Sequence, residues 1–191
     1  MAKLDTRQMV LLSLLTAIVA ALQLMGAFIR FGPFSISLVL IPITLGAALA
    51  GPWAGAWLGL VFGGAVLLSG DAAVFFPIDP IGTVVVVLTR GVMAGLVAGF
   101  VYKLLVNKNK TAAAGAAATV CPIVNTGLFI VGMYVFFLPT VTEWGVGAGF
   151  DRVAEFIFIG MIGANFLFEL ALNIVCIPVL VRLIRIREVS R

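Results

Sequence analysis

Histidine is absent from this chain. The side chain used most often as a general base near neutral pH, and as a metal ligand, is therefore not available. Charge is scarce too: 10% of the 191 residues are charged and 63% are apolar, where a soluble domain carries about 25% charged residues. Cysteine is limited to Cys121 and Cys176, both inside apolar runs, where they read as small packing residues rather than a disulfide. No Gly-x-x-x-x-Gly-Lys-Ser/Thr loop is present, so the chain is not expected to use ATP itself. Nor is there an acidic run to hold Mg²⁺, a Ser, His and Asp constellation, or an evident inverted repeat of the kind many secondary transporters show. No catalytic residue, metal, cofactor or nucleic-acid partner is expected.

What remains is a series of long apolar runs. They are Met9–Phe28, Ile36–Ala50, Trp53–Leu68, Ile81–Tyr102, Thr111–Leu138 and Phe156–Val181. A spanning helix needs roughly 20 apolar residues. The length therefore allows six spans and little else, and residues 1–191 read as one integral membrane domain. The second and third runs are short for a span, which implies tilt or local thinning of the bilayer. Met1–Arg7 carries charge close to the first run, and no small-residue cleavage site follows it, so that run is expected to be retained.

Six spans place both termini on one side. Lys3, Arg7, Lys103, Lys108, Lys110, Arg182, Arg185, Arg187 and Arg191 then share that side. Arg30 and Arg152 fall on the other, beside Asp71, Asp79, Glu143, Asp151 and Glu155. The positive-inside rule makes the termini cytoplasmic. The fold expected is thus an all-α membrane protein of six transmembrane helices in a bacterial cell membrane. Gly26–Ser35, Ser69–Pro80 and Pro139–Glu155 become external loops. They hold Phe28, Phe31, Phe34, Phe75, Phe76, Trp144 and Phe150, which suit an interfacial belt or a lid over a site that opens outward.

Small residues recur every four positions in three runs: Gly51, Gly55, Gly59 and Gly63; Gly91, Gly95 and Gly99; Ser13, Ala17 and Ala21. That spacing sets them on one helix face and lets backbones approach closely. The glycine series read as packing within the bundle. The first run has a second small pair, Thr16 and Ala20, and either face could serve an internal neighbour or a partner chain.

Two charges break the pattern. Arg90 lies in the middle of the fourth run and Glu169 in the middle of the sixth. Ionisable groups at bilayer depth cost a few kcal/mol each even on lenient scales, so they are usually paired or used on a solute. Asn165, Glu169 and Asn173 are spaced by four and form one stripe. Asn125 and Thr126 are central to the fifth run, and Thr89 adjoins Arg90. If these three helices pack together, the groups meet. Arg90 could grip a carboxylate in bidentate fashion, with the asparagines as donors and acceptors. A structural Arg90–Glu169 pair satisfied by the asparagines stays open beside that reading, although buried pairs seldom stabilise more than apolar packing.

These residues carry a resemblance. The chain resembles the substrate-binding S components of energy-coupling factor (ECF) vitamin transporters. The more specific segments are Ser37–Gly46, with Ile41-Pro42, and Gly51–Gly59, with Gly51-Pro52 and Gly55. Ala17 and Ala21 match the Ala-x-x-x-Ala face on which the family docks to its transmembrane coupling protein. The resemblance implies capture of an external vitamin in a pocket made by the fourth to sixth helices and the external loops. Arg90, Asn125, Asn165, Glu169, Asn173, Thr89, Phe34, Phe76 and Trp144 are the expected solute-binding residues. The first helix is not expected to line that pocket. The partners implied are the coupling protein, two ATPase subunits, the vitamin and membrane lipid. The biotin, folate and thiamin signatures do not match; Arg90 favours a carboxylate such as pantothenate, then lipoate.

Other classes stay open: a stand-alone secondary transporter or channel using the Arg90–Glu169 pair, a small membrane enzyme acting on lipid, or a structural subunit. The orientation has a direct test. In a background lacking Cys121 and Cys176, Trp144→Cys is expected to react with an impermeant thiol reagent in intact cells and Lys108→Cys to resist it. Labelling at 108 but not at 144 would reverse the topology.

Overall fold

A computed structural model describes residues 6–26, 30–31, 34–35 and 38–189, with the side chains of 30, 31, 34, 35, 164, 185 and 187–189 left aside. Lys3, Phe28, Ile36, Ser37 and Arg191 lie outside the described residues, as do the side chains of Arg30, Phe31, Phe34, Arg185 and Arg187. The described chain is helical apart from a two-residue antiparallel pairing of β1 (Arg30–Phe31) with β2 (Phe34–Ser35). The helices are α1 (Thr6–Gly26), α2 (Leu40–Ala50), α3 (Pro52–Ser69), α4 (Pro80–Leu105) and α5 (Lys110–Phe136). There follow α6 (Leu138–Gly147), the three-residue α7 (Val153–Glu155), a π-helical stretch Phe156–Gly163, α8 (Ala164–Val175) and α9 (Ile177–Val189).

Local chemistry sets the boundaries. Asp79 caps α4, accepting from the Gly82 N–H at 2.8 Å with Pro80 in the first turn. Asn109 caps α5, accepting from the N–H groups of Thr111 and Ala112 at 2.9 and 3.0 Å. Both are extended residues with a short polar side chain, which answers otherwise orphaned N–H groups. Gly70 closes α3 in the left-handed region, at φ 80°, where a side chain would be strained.

Four helices, α1, α3, α4 and α5, are long and apolar enough to cross a membrane. Two apolar runs depart from a simple span. The second gives an 11-residue helix beginning at Leu40. The last is not one helix: Val153–Gly163 and Asn165–Val175 are bent by 43°, and Cys176 separates α8 from α9. Pro178 explains the second break, because its ring opposes the carbonyl one turn earlier and it has no N–H to donate. The expected loop Pro139–Glu155 also proves to hold α6, with Pro139 in its first turn, where proline is tolerated.

The two glycine series face each other across α3 and α4, which run antiparallel. A Cβ on Gly55 would strike the Gly95 carbonyl, and one on Gly59 the Gly91 carbonyl; the converse holds for Gly91 and Gly95. On α1 the structure separates the two small faces. Thr16 accepts from Trp57 Nε1 of α3 at 3.1 Å, so the Thr16/Ala20 side is internal. Ser13, Ala17 and Ala21 point outward and are exposed. Buried apolar side chains form two clusters, one around Leu40, Leu58, Ala94 and Ala117, the other around Phe75, Met133, Phe137 and Ile157.

Gly59→Ala is expected to destabilise the detergent-purified chain by about 1–3 kcal/mol, the range for overpacking a tight contact. Gly64→Ala, with nothing within 4 Å of its new Cβ, should be neutral or slightly stabilising, since alanine favours helix over glycine. Thermal unfolding of the two variants side by side makes the comparison; equal melting points would deny the seam its role.

Candidate functional site

Among the described residues, buried polar side chains are few: Gln23, Thr44, Thr83, Asn125, Thr126, Glu169 and Asn173. Thr44 and Thr83 bond to their own helix backbones, at Leu40 O and Asp79 O, a common way to satisfy a hydroxyl in an apolar helix. Asn173 donates from Nδ2 to Glu169 O at 2.9 Å, while its Oδ1 is buried without a partner away from the cavity. The other four line one cavity of about 70 Å³, together with Arg90, Asp71 and Asn165. It lies where the two apolar clusters meet. Phe62, Val66, Ala72 and Val87 wall it on one side; Phe75, Phe129, Met161 and Ile162 wall it on the other.

Each polar group arrives from a different element. Arg90 comes from the middle of α4, Asn125 and Thr126 from α5, Asn165 and Glu169 from α8, Gln23 from α1, and Asp71 from the turn after α3. The Arg90 guanidinium sits 5.0 Å from the Phe129 ring centroid and 5.8 Å from that of Phe62. Two aromatic faces thus hold the cation, an attraction that strengthens away from water. Glu169 and Asp71 bear on it electrostatically. Arg90 Nε, Asn125 Oδ1 and Asn165 Oδ1 are buried without a hydrogen-bond partner. Asn165 Nδ2 reaches Glu169 Oε1 at 3.5 Å, the long limit for such a bond. Unanswered buried polar atoms are costly, roughly 1–3 kcal/mol each, and three of the four among the described residues belong to side chains that line this cavity.

Arg90, Asn125, Asn165 and Glu169 are thus brought together, as their spacing suggested. Asn173 is buried one turn further along, off the cavity. Thr89 is exposed on the outer face of α4: one residue turns a helix by about 100°, which carries it away from Arg90's side. Phe76 packs against the first apolar cluster, while its neighbour Phe75 lines the cavity. Trp144 touches the site through Phe75, with ring centroids 5.9 Å apart. The Phe34 side chain lies outside the described residues. Gln23, Asp71, Phe62, Phe75 and Phe129 are additions. Gln23 was the one to find, a lone amide in an apolar run. It also corrects the expectation for the first helix, which does line the cavity, because α1 turns its Leu15, Val19 and Gln23 face inward. Among the described residues, no group of three or more acidic or thiol side chains is placed to hold a metal ion.

The family model for the substrate-specific component of the ECF transporter matches residues 7–181. The chain belongs to this family. No curated protein and no solved structure is matched by it. Membership makes the chain the substrate-specific (S) component of an ECF transporter, a multi-pass membrane protein that associates with a module of transmembrane coupling and ATPase subunits. In this S component the two outlying charges of the apolar runs, Arg90 and Glu169, share one cavity wall, and the outward alanines of α1 remain exposed on the opposite side of that helix from Gln23.

Proposed function

We propose that this S component captures a vitamin or related micronutrient carrying a carboxylate from outside the cell, with pantothenate favoured over lipoate. The carrying observation is Arg90: a cation seated between two rings, lining a cavity, with Nε unbonded beside unbonded amide oxygens. A carboxylate supplies the acceptor that Arg90 Nε lacks, and an arginine fork holds it in the plane. Residues 1–191 act as a single membrane domain with six spans and cytoplasmic termini in a bacterial plasma membrane. The chain carries out no reaction of its own.

At about 70 Å³ the cavity is well below the roughly 300–1,000 Å³ of sites that enclose whole small molecules. Loading therefore displaces part of its wall. Phe75 is the movable part by position: it lies in the turn between α3 and α4 and packs on Phe129, Phe137 and Trp144 rather than inside a helix. Lids of this kind exclude water once the solute is seated. The exposed Ala17/Ala21 face of α1 docks on the coupling protein, because small side chains let a partner helix approach closely in lipid.

Titration calorimetry with pantothenate and lipoate tests the cargo. Arg90→Ala is expected to lose about 2–5 kcal/mol of binding, the cost of stripping a buried charge of its partner. Arg90→Lys should recover only part of it. Asn125→Ala and Asn165→Ala should each cost about 1–3 kcal/mol. Normal affinity in a folded Arg90→Ala protein would sink the carboxylate reading. An Arg90–Glu169 pair that merely holds the bundle gives another pattern: each single alanine variant melts early and the double variant recovers.

Docking has its own test. Ala17→Trp with Ala21→Trp is expected to abolish transport and co-purification with the coupling protein, while solute binding by the isolated chain survives. Full recovery of the complex with both tryptophans in place would assign that face to lipid.

A further inference from the structure

The two ends of the bundle differ in charge. The 26-residue α4 is about 39 Å long at about 1.5 Å per residue, with Asp79 capping one end and Lys103 in the last turn of the other. The end marked by Lys103 carries nine basic residues in the sequence against two acids, Asp5 and Glu188; the end marked by Asp79 carries two against five. Lys103, Lys108 and Lys110 come together where α4 turns back into α5, and all three are exposed. Arg182 of α9 reaches the same level. That helix runs antiparallel to α5: a Cβ on Gly115 would lie 3.7 Å from Ile177 Cδ1, and Asn125 shares the cavity with Asn165 further along. Lys110 and Arg182 stand five residues from the Gly115–Ile177 contact in opposite chain directions, and Arg182 is exposed too.

Apolar side chains continue outward beside these cations. Leu104, next to Lys103, is 74% exposed, and Val179, Leu183 and Ile186 are exposed around Arg182. Their spacing sets Val179, Leu183 and Ile186 along one side of α9. In a membrane-spanning chain such a side faces acyl chains, and lysine and arginine lay their stems along it while the charged heads reach the interface. Lys103 and Arg182 therefore stand at headgroup depth, not on a surface that only water or a soluble subunit reaches. Setting the orientation of the chain uses the count of cations alone; it asks for no apolar side chains beside them. We propose that this end is a binding site for anionic phospholipid. Lys103, Lys108 and Arg182 hold headgroup phosphates, and Leu104, Leu183 and Ile186 pack on the acyl chains. The attraction of basic residues to anionic headgroups grows with their number and is screened by salt. The assignment is independent of the cargo and of the leaflet in which this end lies.

The test uses the full chain in detergent, with equal amounts of phosphatidylglycerol and phosphatidylcholine bearing the same acyl chains. Native mass spectrometry counts the lipids that stay bound. The wild-type chain is expected to retain phosphatidylglycerol over phosphatidylcholine by about threefold or more, and to lose that preference at about 1 M salt. The combined Lys103→Gln, Lys108→Gln and Arg182→Gln variant should fall to near parity, whereas Arg152→Gln, at the opposite end, should keep the preference. All four side chains are exposed, and melting curves verify folding. If the combined variant does not fold, the three single variants decide: each should lower the preference, and no effect in any of them overturns the proposal. Equal retention of the two lipids by the wild-type chain, or an undiminished preference in the combined variant, also overturns it. A last arm replaces the lipid by glycerol phosphate, which has the phosphate and no acyl chains. Phosphatidylglycerol should raise the melting temperature and glycerol phosphate should not; an equal rise assigns the cations to free phosphate and overturns the lipid site.

Discussion

The backbones of α3 and α4 touch at Gly55/Gly95 and Gly59/Gly91, with no side chain between them. In lipid the hydrophobic effect does not drive helices together; close van der Waals contact does, and glycine permits the closest approach. That contact has a consequence for the site. A Cβ on Gly91 would meet the Phe62 ring at 3.2 Å, so the bare glycine leaves room for Phe62 against α4. Phe62 then flanks the Arg90 guanidinium, one residue away from Gly91 along α4. The seam that holds the bundle together also seats its buried cation.

Polar groups follow the opposite logic. A bilayer-spanning chain can satisfy a threonine within its own helix, as Thr44, Thr83 and Thr16 do through the carbonyl one turn back. Asparagine and arginine have too many donors and acceptors for that. They must meet side chains from other helices or an external partner. The structure draws Arg90, Asn125 and Asn165 from three helices into one small volume and leaves one buried atom of each unanswered. Such an arrangement costs stability.

The last apolar run shows how packing overrides pattern. Its residues are apolar enough for one straight span, yet the first turns are π-helical from Phe156 to Gly163 and the axis bends by 43° before Asn165. Wider turns shift the register of everything that follows, and π segments tend to occur at functional sites. Here the shift immediately precedes Asn165 and Glu169, the two α8 side chains on the cavity. A uniform helical wheel drawn from Phe156 would misplace both relative to Ile157, which is fully buried in the neighbouring apolar cluster.

The amino-acid sequence by itself determined the helical class, the apolar runs, the small-residue faces and the polar stripe on the last run. Those features depend on composition and on spacing along one element, which the bilayer and the 3.6-residue turn convert directly into structure. Arg90, Asn125, Asn165 and Glu169 were legible because each is an exception within an apolar run. Phe75 rather than Phe76, the outward turn of Thr89, and the place of Gln23 and Asp71 on the cavity were decided only by tertiary structure. Each depends on the rotation of one element against another, or on which residue of a turn faces inward, and neither is encoded in local periodicity. The two small faces of α1 make the same point: Thr16 and Ala17 are neighbours of similar size, and only the position of Trp57 decides which one is covered.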